Sequence, residues 1–215
     1  MKRIFLLLIA LLAINTQLFA ESDVLRWGIT GGVNITKAKK DGGTYGTGWD
    51  FDATSGFYAG FIARLSLPIL GFGLDGSLLY SQEAVSVAGT TSGTQEKTTT
   101  DRLRFISIPV HLRYDLEIAA VRNIVIPFAF AGPQWNLAMN NFNWENPQSG
   151  ENWETNRQTW KFDLGFGAIL FNHLQVSYNY AIPLNETFSV SSSTYNDVKN
   201  NYELGTHRIG LAYFF

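Results

Sequence analysis

Three histidines, His111, His173 and His207, are the side chains best suited to proton transfer near neutral pH in a chain without cysteine. A hydrolytic site would need one of them beside a serine and a carboxylate. The serines between Ser189 and Ser193 are the nearest such group to His207 in chain topology, but nothing in their surroundings orients them. The chain has no Gly-x-Ser-x-Gly and no His-Glu-x-x-His. Asp50, Asp52, Glu145, Glu151 and Glu154 are acidic, yet their spacing does not match a calcium loop, which needs six to eight oxygens in fixed geometry. The expectation is therefore a chain with no enzymatic activity, no catalytic residue, no metal site and no cofactor.

The elements that would position these residues are strands. Alternation defines eight segments, 24–36, 55–67, 72–84, 102–115, 123–135, 158–171, 174–184 and 202–215. In the first, Leu25, Trp27, Ile29, Val33 and Ile35 share one face, against Arg26, Gly28, Thr30, Gly32 and Asn34. A period of two over this length means strand, because a helix would scatter the apolar residues around its circumference. Segment 123–135 is less clean. Ile126, Phe128 and Phe130 have one parity and Trp135 and Leu137 the other, which a bulge near Gly132-Pro133 would reconcile. Long polar connections, 37–54, 85–101, 136–157 and 185–201, alternate with short ones at Pro68–Gly71, Glu117–Arg122 and Phe171–His173.

Residues 1–20 read as a signal peptide. Lys2 and Arg3 precede an apolar run from Ile4 to Ile14, too short to span a bilayer as a helix, and Leu18-Phe19-Ala20 suits cleavage. Residues 21–215 form one domain. Without Lys2 and Arg3 the 16 basic residues fall to 14, against 18 acidic ones, which offers nucleic acid no basic footprint. The absence of cysteine excludes disulfides, thiolate metal sites and a cysteine nucleophile.

A soluble ligand-binding barrel and a membrane barrel share this alternation with opposite faces inward. Three features select the membrane form. The polar faces carry full charges, Arg26, Arg64, Asp75, Arg113, Lys161, Asp163 and Arg208. Aromatics collect at both ends of the apolar faces: Trp27, Phe72, Tyr114, Tyr213 and Phe215 at one rim, Phe57, Tyr80, Trp160 and Tyr180 at the other. Loop lengths alternate as in outer-membrane barrels. The predicted fold is thus all-β, an eight-stranded antiparallel up-and-down transmembrane β-barrel in the outer membrane of a Gram-negative bacterium. If Leu67 pairs with Phe72, Arg64 falls opposite Asp75, and the two form an ion pair in the lumen. Tyr58, Ile62, Gln175 and Asn179 point the same way and fill a barrel of this size. Trp144 and Trp153, in the tryptophan-rich stretch before Trp160, either pack as a loop cap or present a surface recognition site.

Several short motifs add a family likeness. Leu78-Leu79-Tyr80-Ser81-Gln82, Phe105-Ile106-Ser107-Ile108-Pro109-Val110, Phe128-Ala129-Phe130-Ala131-Gly132-Pro133 and Asp163-Leu164-Gly165-Phe166-Gly167-Ala168, with the closing Phe215, resemble the PorT-like family of Bacteroidetes outer-membrane β-barrels. Ser107 stands where that family often has Glu. The resemblance runs from about Leu25 to Phe215. It implies the barrel fold and the outer membrane, and through its name-giving member a tie to type IX secretion. Two functional classes follow: a structural or surface-interaction barrel, and an accessory component of secretion or envelope assembly. A small gated pore or an outer-membrane enzyme ranks behind both. The expected partners are outer-membrane lipid and lipopolysaccharide, an envelope protein or glycan, and the barrel assembly machinery, for which a terminal aromatic such as Phe215 resembles the recognition signal.

Overall fold

The computed structural model describes residues 24–41, 49–52, 54–67, 71–89, 97–118, 120–141, 151–192 and 198–215. Eight long strands close into a barrel: β1 (Leu25–Asp41), β3 (Thr54–Ser66), β4 (Phe72–Gly89), β5 (Lys97–Asp115), β6 (Val125–Ala138), β8 (Gln158–Leu170), β9 (Leu174–Pro183) and β11 (Val198–Phe214). Each pairs antiparallel with its neighbour in this order, and β1 pairs with β11 to complete the circle. Strands of 10 to 19 residues suffice to cross a bilayer at a tilt, which takes about 9–11 residues. The segment proposed as a signal peptide lies outside the described residues.

Burial is inverted relative to a soluble barrel. Phe61, Leu164 and Phe166 are 66%, 58% and 61% exposed, whereas Arg113 and Asp163 are 1% and 0% exposed. Apolar residues outside and charges inside suit a lipid surround, since no water is available there to reward the opposite arrangement. Of the expected rim aromatics, Trp27, Phe72, Tyr114, Tyr213, Phe215, Phe57, Trp160 and Tyr180 lie exposed on this face, and Tyr80 is half-buried.

The long connections are not simply loops. The pairing of β1 with β11 runs on to Asp41 opposite Asn201, and that of β4 with β5 runs on to Gly89 opposite Lys97. Three short strands extend the same rim: β2 (Trp49–Asp52) on β4, and β7 (Glu151–Thr155) on β10 (Phe188–Ser192), which in turn pairs with β11. The polar composition of these stretches hid their strand character. The alternation in Val85-Ser86-Val87 and the β-branched run Thr98-Thr99-Thr100 carry it.

β6 contains no bulge, contrary to expectation. Its register against β8 is unbroken from Val125 opposite Leu170 to Leu137 opposite Gln158. Phe128 and Phe130 instead face the lumen and are buried. They fit because their partners across the ladder are Gly167 and Gly165. A Cβ on Gly165 would lie 2.4 Å from Phe130 Cζ, and one on Gly167 would lie 2.6 Å from Phe128 Cζ. Pro127 and Pro133 are accommodated on the outward parity, and the β5–β6 pairing is interrupted opposite Pro133.

β8 and β9 are joined by a tight three-residue turn, with Leu170 opposite Leu174 across it. His173 N donates to Leu170 O at 3.2 Å, and Phe171 and Asn172 both take positive φ, 50° and 62°. This type I′ geometry suits right-twisted strands but favours Asn-Gly over an aromatic at its first central position. Phe171→Asn is expected to raise the unfolding free energy in detergent by about 1 kcal/mol. A denaturant titration showing no gain would refute the strain assigned to Phe171.

Candidate functional site

The inward-facing side chains form layers along the barrel axis. Nearest the short-turn rim, Arg64 on β3 and Asp75 on β4 stand opposite each other in register. Arg64 Nε donates to Asp75 Oδ1 at 3.1 Å, so the structure brings together the pair placed by hairpin arithmetic. Arg113 on β5 joins them, its Nη1 donating to Asp75 Oδ2 at 3.1 Å and to Gln175 Oε1 at 2.9 Å. Arg113 Nε also pairs with Asp115, and Arg64 Nη2 with Gln175. Each guanidinium lies over an aromatic face, Arg64 at 4.0 Å from the Phe214 centroid and Arg113 at 3.7 Å from that of Phe128. These contacts supply the cation–π attraction that a desolvated guanidinium needs beyond its carboxylates.

A second network lies further toward the long-loop rim. Lys161 Nζ donates to both Glu83 oxygens at 2.8 and 3.0 Å, and to Thr206 Oγ1 at 2.9 Å. Arg208 Nη2 is 3.6 Å from Glu83 Oε1, Arg208 Nη1 is 3.9 Å from Asp163 Oδ2, and Nη1 also donates to Gln134. His111 Nε2 donates to Asp163 Oδ2 at 2.9 Å. Four cations, Arg64, Arg113, Lys161 and Arg208, thus face four carboxylates, Asp75, Asp115, Glu83 and Asp163. A balanced set offers no net field to select or drive an ion through the barrel.

Between the two networks is a cavity of about 50 Å³ bordered by Tyr58, Ile62, Leu79, His111, Asn179 and Arg208. Such a space holds a few waters and no solute of metabolite size. Around and beyond the second network, Leu103 opposite Glu83, Phe105, Phe188, Tyr202 and Leu204 are at most 2% exposed and add an apolar layer, with Phe188 stacked on Tyr202 at 5.0 Å. The lumen is therefore filled at several levels.

The three histidines are dispersed. His111 is engaged with Asp163 inside the barrel and packs 4.8 Å from the Phe130 ring. His173 Nδ1 donates to Phe171 O within the short hairpin. His207 is on the outer surface, hydrogen-bonded to Tyr178 at 2.8 Å and stacked on Tyr180 at 4.5 Å. The histidines thus occupy the lumen, a turn and the outer wall, and Ser189 belongs to β10 at the long-loop rim. Trp144 lies outside the described residues. Trp153 belongs to β7, opposite Val190 of β10.

Sequence reasoning missed Glu83, Asp115 and the apolar layer. Glu83 shares the inward parity of Asp75 along segment 72–84, and Asp115 that of Arg113, so both signals were present. The apolar layer was concealed because its aromatics sit on the face taken to be polar.

These features match known outer-membrane folds. OprG from Pseudomonas aeruginosa superposes with a TM-score of 0.53 at 15% identity, over 89% of this chain and 94% of that one. Neisserial surface protein A gives a TM-score of 0.43 at 12% identity, over 88% and 97% of the respective chains. The attachment invasion locus protein Ail of Yersinia pestis gives 0.43 at 14% identity, over 89% of this chain and 99% of that one. No sequence relative was found among curated proteins. A family model described as the outer membrane protein beta-barrel domain matches residues 17–189. The chain belongs to that family and is an outer-membrane β-barrel protein of a Gram-negative bacterium.

Proposed function

We propose that this barrel acts as a structural or surface-interaction protein of the outer membrane and not as a channel or an enzyme. The observation that carries this reading is the filled lumen, in which, among the described residues, two neutral ion-paired networks and an apolar layer border a small cavity. Transport needs a continuous wet path, and catalysis needs a nucleophile held by a base. What remains for interaction is the long-loop rim, where β2, β7 and β10 enlarge the barrel beyond its eight strands. Envelope proteins or glycans are the ligand classes this reading assigns to that rim, with Trp144 and Trp153 as candidate contacts.

Conductance provides the test. Purified barrel in planar bilayers is expected to show no steady open-pore current, and a sustained ohmic conductance would overturn the reading. Replacing 142–150 by a short turn keeps β7 and Asn140 and so tests the rim by itself. The variant is expected to remain a folded, heat-modifiable barrel and to lose binding to whole-envelope extract. Failure to fold would assign the segment, with Trp144, to a structural cap.

The second reading, an accessory of secretion or envelope assembly, is favoured by the PorT-like motifs at Leu78–Gln82 and Phe128–Pro133. Mild-detergent purification from native membranes separates the two readings, because a machine component brings stoichiometric partners and a solitary barrel does not.

A further inference from the structure

The outward face of β5 changes character toward the long-loop rim. Tyr114, Leu112, Val110 and Ile108 make an exposed apolar column, followed by Ile106 and then by Arg104 and Arg102, both exposed. Ile106 stands opposite Tyr80 of β4, and Ile108 opposite Trp135 of β6. The two arginines therefore lie just beyond the aromatic girdle, at the depth where lipid headgroups begin. Side chains two residues apart on a strand share a face about 7 Å apart, so two guanidinium forks can converge on one phosphate.

The backbone carrying them is held on both sides. β4 pairs Gln82 with Arg104 and Ala84 with Arg102. β6 ends at Ala138, and there the side chain of Asn140 takes over the role of a strand. Arg104 N donates to Asn140 Oδ1 at 2.7 Å, and Asn140 Nδ2 donates to Arg102 O at 2.9 Å. Met139 N adds a bond to Arg104 O at 2.8 Å. Both arginines are thus presented on a fixed frame, which lowers the ordering cost of binding. Met139, exposed at the level of Arg104, flanks the pair on the β6 side.

We propose that Arg102 and Arg104 bind a phosphate group of outer-leaflet lipopolysaccharide, with the apolar column of β5 beneath them receiving its acyl chains. The charge and the apolar column are stacked in the order in which such a phosphorylated glycolipid presents its own parts. The proposal rests on the outer-membrane placement with the long-loop rim facing outward, and not on any protein or glycan partner of that rim.

The test is lipopolysaccharide binding to the purified full-length barrel in detergent, together with the amount retained through purification. The double variant R102Q/R104Q is expected to lose roughly tenfold or more in affinity. Asn140→Ala, which removes no charge, is expected to weaken binding by a smaller factor, and raised salt to weaken the wild type. Lys37→Gln, on the outward face of β1, serves as the unaffected control. Dephosphorylated lipopolysaccharide is expected to bind like the double variant. Wild-type affinity in R102Q/R104Q, or equal binding of the dephosphorylated form, would overturn the proposal. Equal competition by phosphatidylglycerol micelles would overturn the glycolipid assignment. If R102Q/R104Q loses heat-modifiable migration, R102K/R104K keeps the charge and removes the fork, and it too must bind more weakly. A protease site placed at 92–95 must be cut on intact cells, and protection there would overturn the proposal through its orientation.

Discussion

Asp75→Ala is expected to destabilise the barrel by about 3–5 kcal/mol, read as the shift in a denaturant titration of the refolded protein in detergent. The substitution removes the carboxylate shared by Arg64 and Arg113 and leaves two guanidiniums facing each other in a buried layer. Gln175 and the rings of Phe214 and Phe128 remain as partners, but none of them carries a compensating charge. Asp115 still holds Arg113, so Arg64 is the more exposed to loss. Combining Asp75→Ala with Arg64→Met is therefore expected to recover part of the deficit. A double variant no more stable than Asp75→Ala would mean that the pair is not energetically coupled.

Gly165→Val is expected to cost about 3 kcal/mol or more, by a steric route. The added Cβ would fall 2.4 Å from Phe130 Cζ, 2.5 Å from Tyr178 O and 2.7 Å from Asn179 Cβ. A flexible side chain can retreat, but the Tyr178 carbonyl belongs to the β8–β9 ladder and cannot. Phe130→Ala in the same chain should thus relieve only part of the loss. Full rescue would show that the phenylalanine alone sets the glycine requirement, and wild-type stability of Gly165→Val would refute the close approach. Loss of heat-modifiable migration on gels reports the same effect without extrapolation.

These two sites also show what could be read from the sequence. The Arg64–Asp75 opposition followed from the hairpin around Pro68–Gly71, because a tight turn sets the register of everything beyond it. The eight spanning strands were legible for a similar reason, since lipid outside and charge inside impose a strict period of two. Gly165 and Phe130 belong to what was not legible. Phe128 and Phe130 are apolar residues on the lumen side, and hydropathy cannot distinguish an aromatic that faces lipid from one that fills space above a glycine. Only pairing β6 with β8 reveals the match. Glu83 was within reach by parity, but its partners Lys161 and Arg208 come from β8 and β11, and no local pattern links strands so far apart. The extension of the strands past the membrane was hidden by polar residues, which read as loop although their backbones continue the ladders.

The circular order of strands bears on how such a chain reaches its final state. Every pairing between spanning strands but one joins strands consecutive around the barrel and along the chain, so most contacts are local in sequence and can form hairpin by hairpin. The β1–β11 seam is different, because Gly28 opposite Phe214 joins nearly the whole length of the domain. Closing so long a loop costs entropy that no local contact repays in advance. The seam offsets that cost with 14 consecutive residue pairs, and Gly28, Gly31, Gly32 and Gly210 leave its two strands little bulk to reorganise as they meet. Ring closure is thus expected to come late and cooperatively. Until the seam zips, two unpaired edges face the bilayer, and the chain depends on whatever shields them.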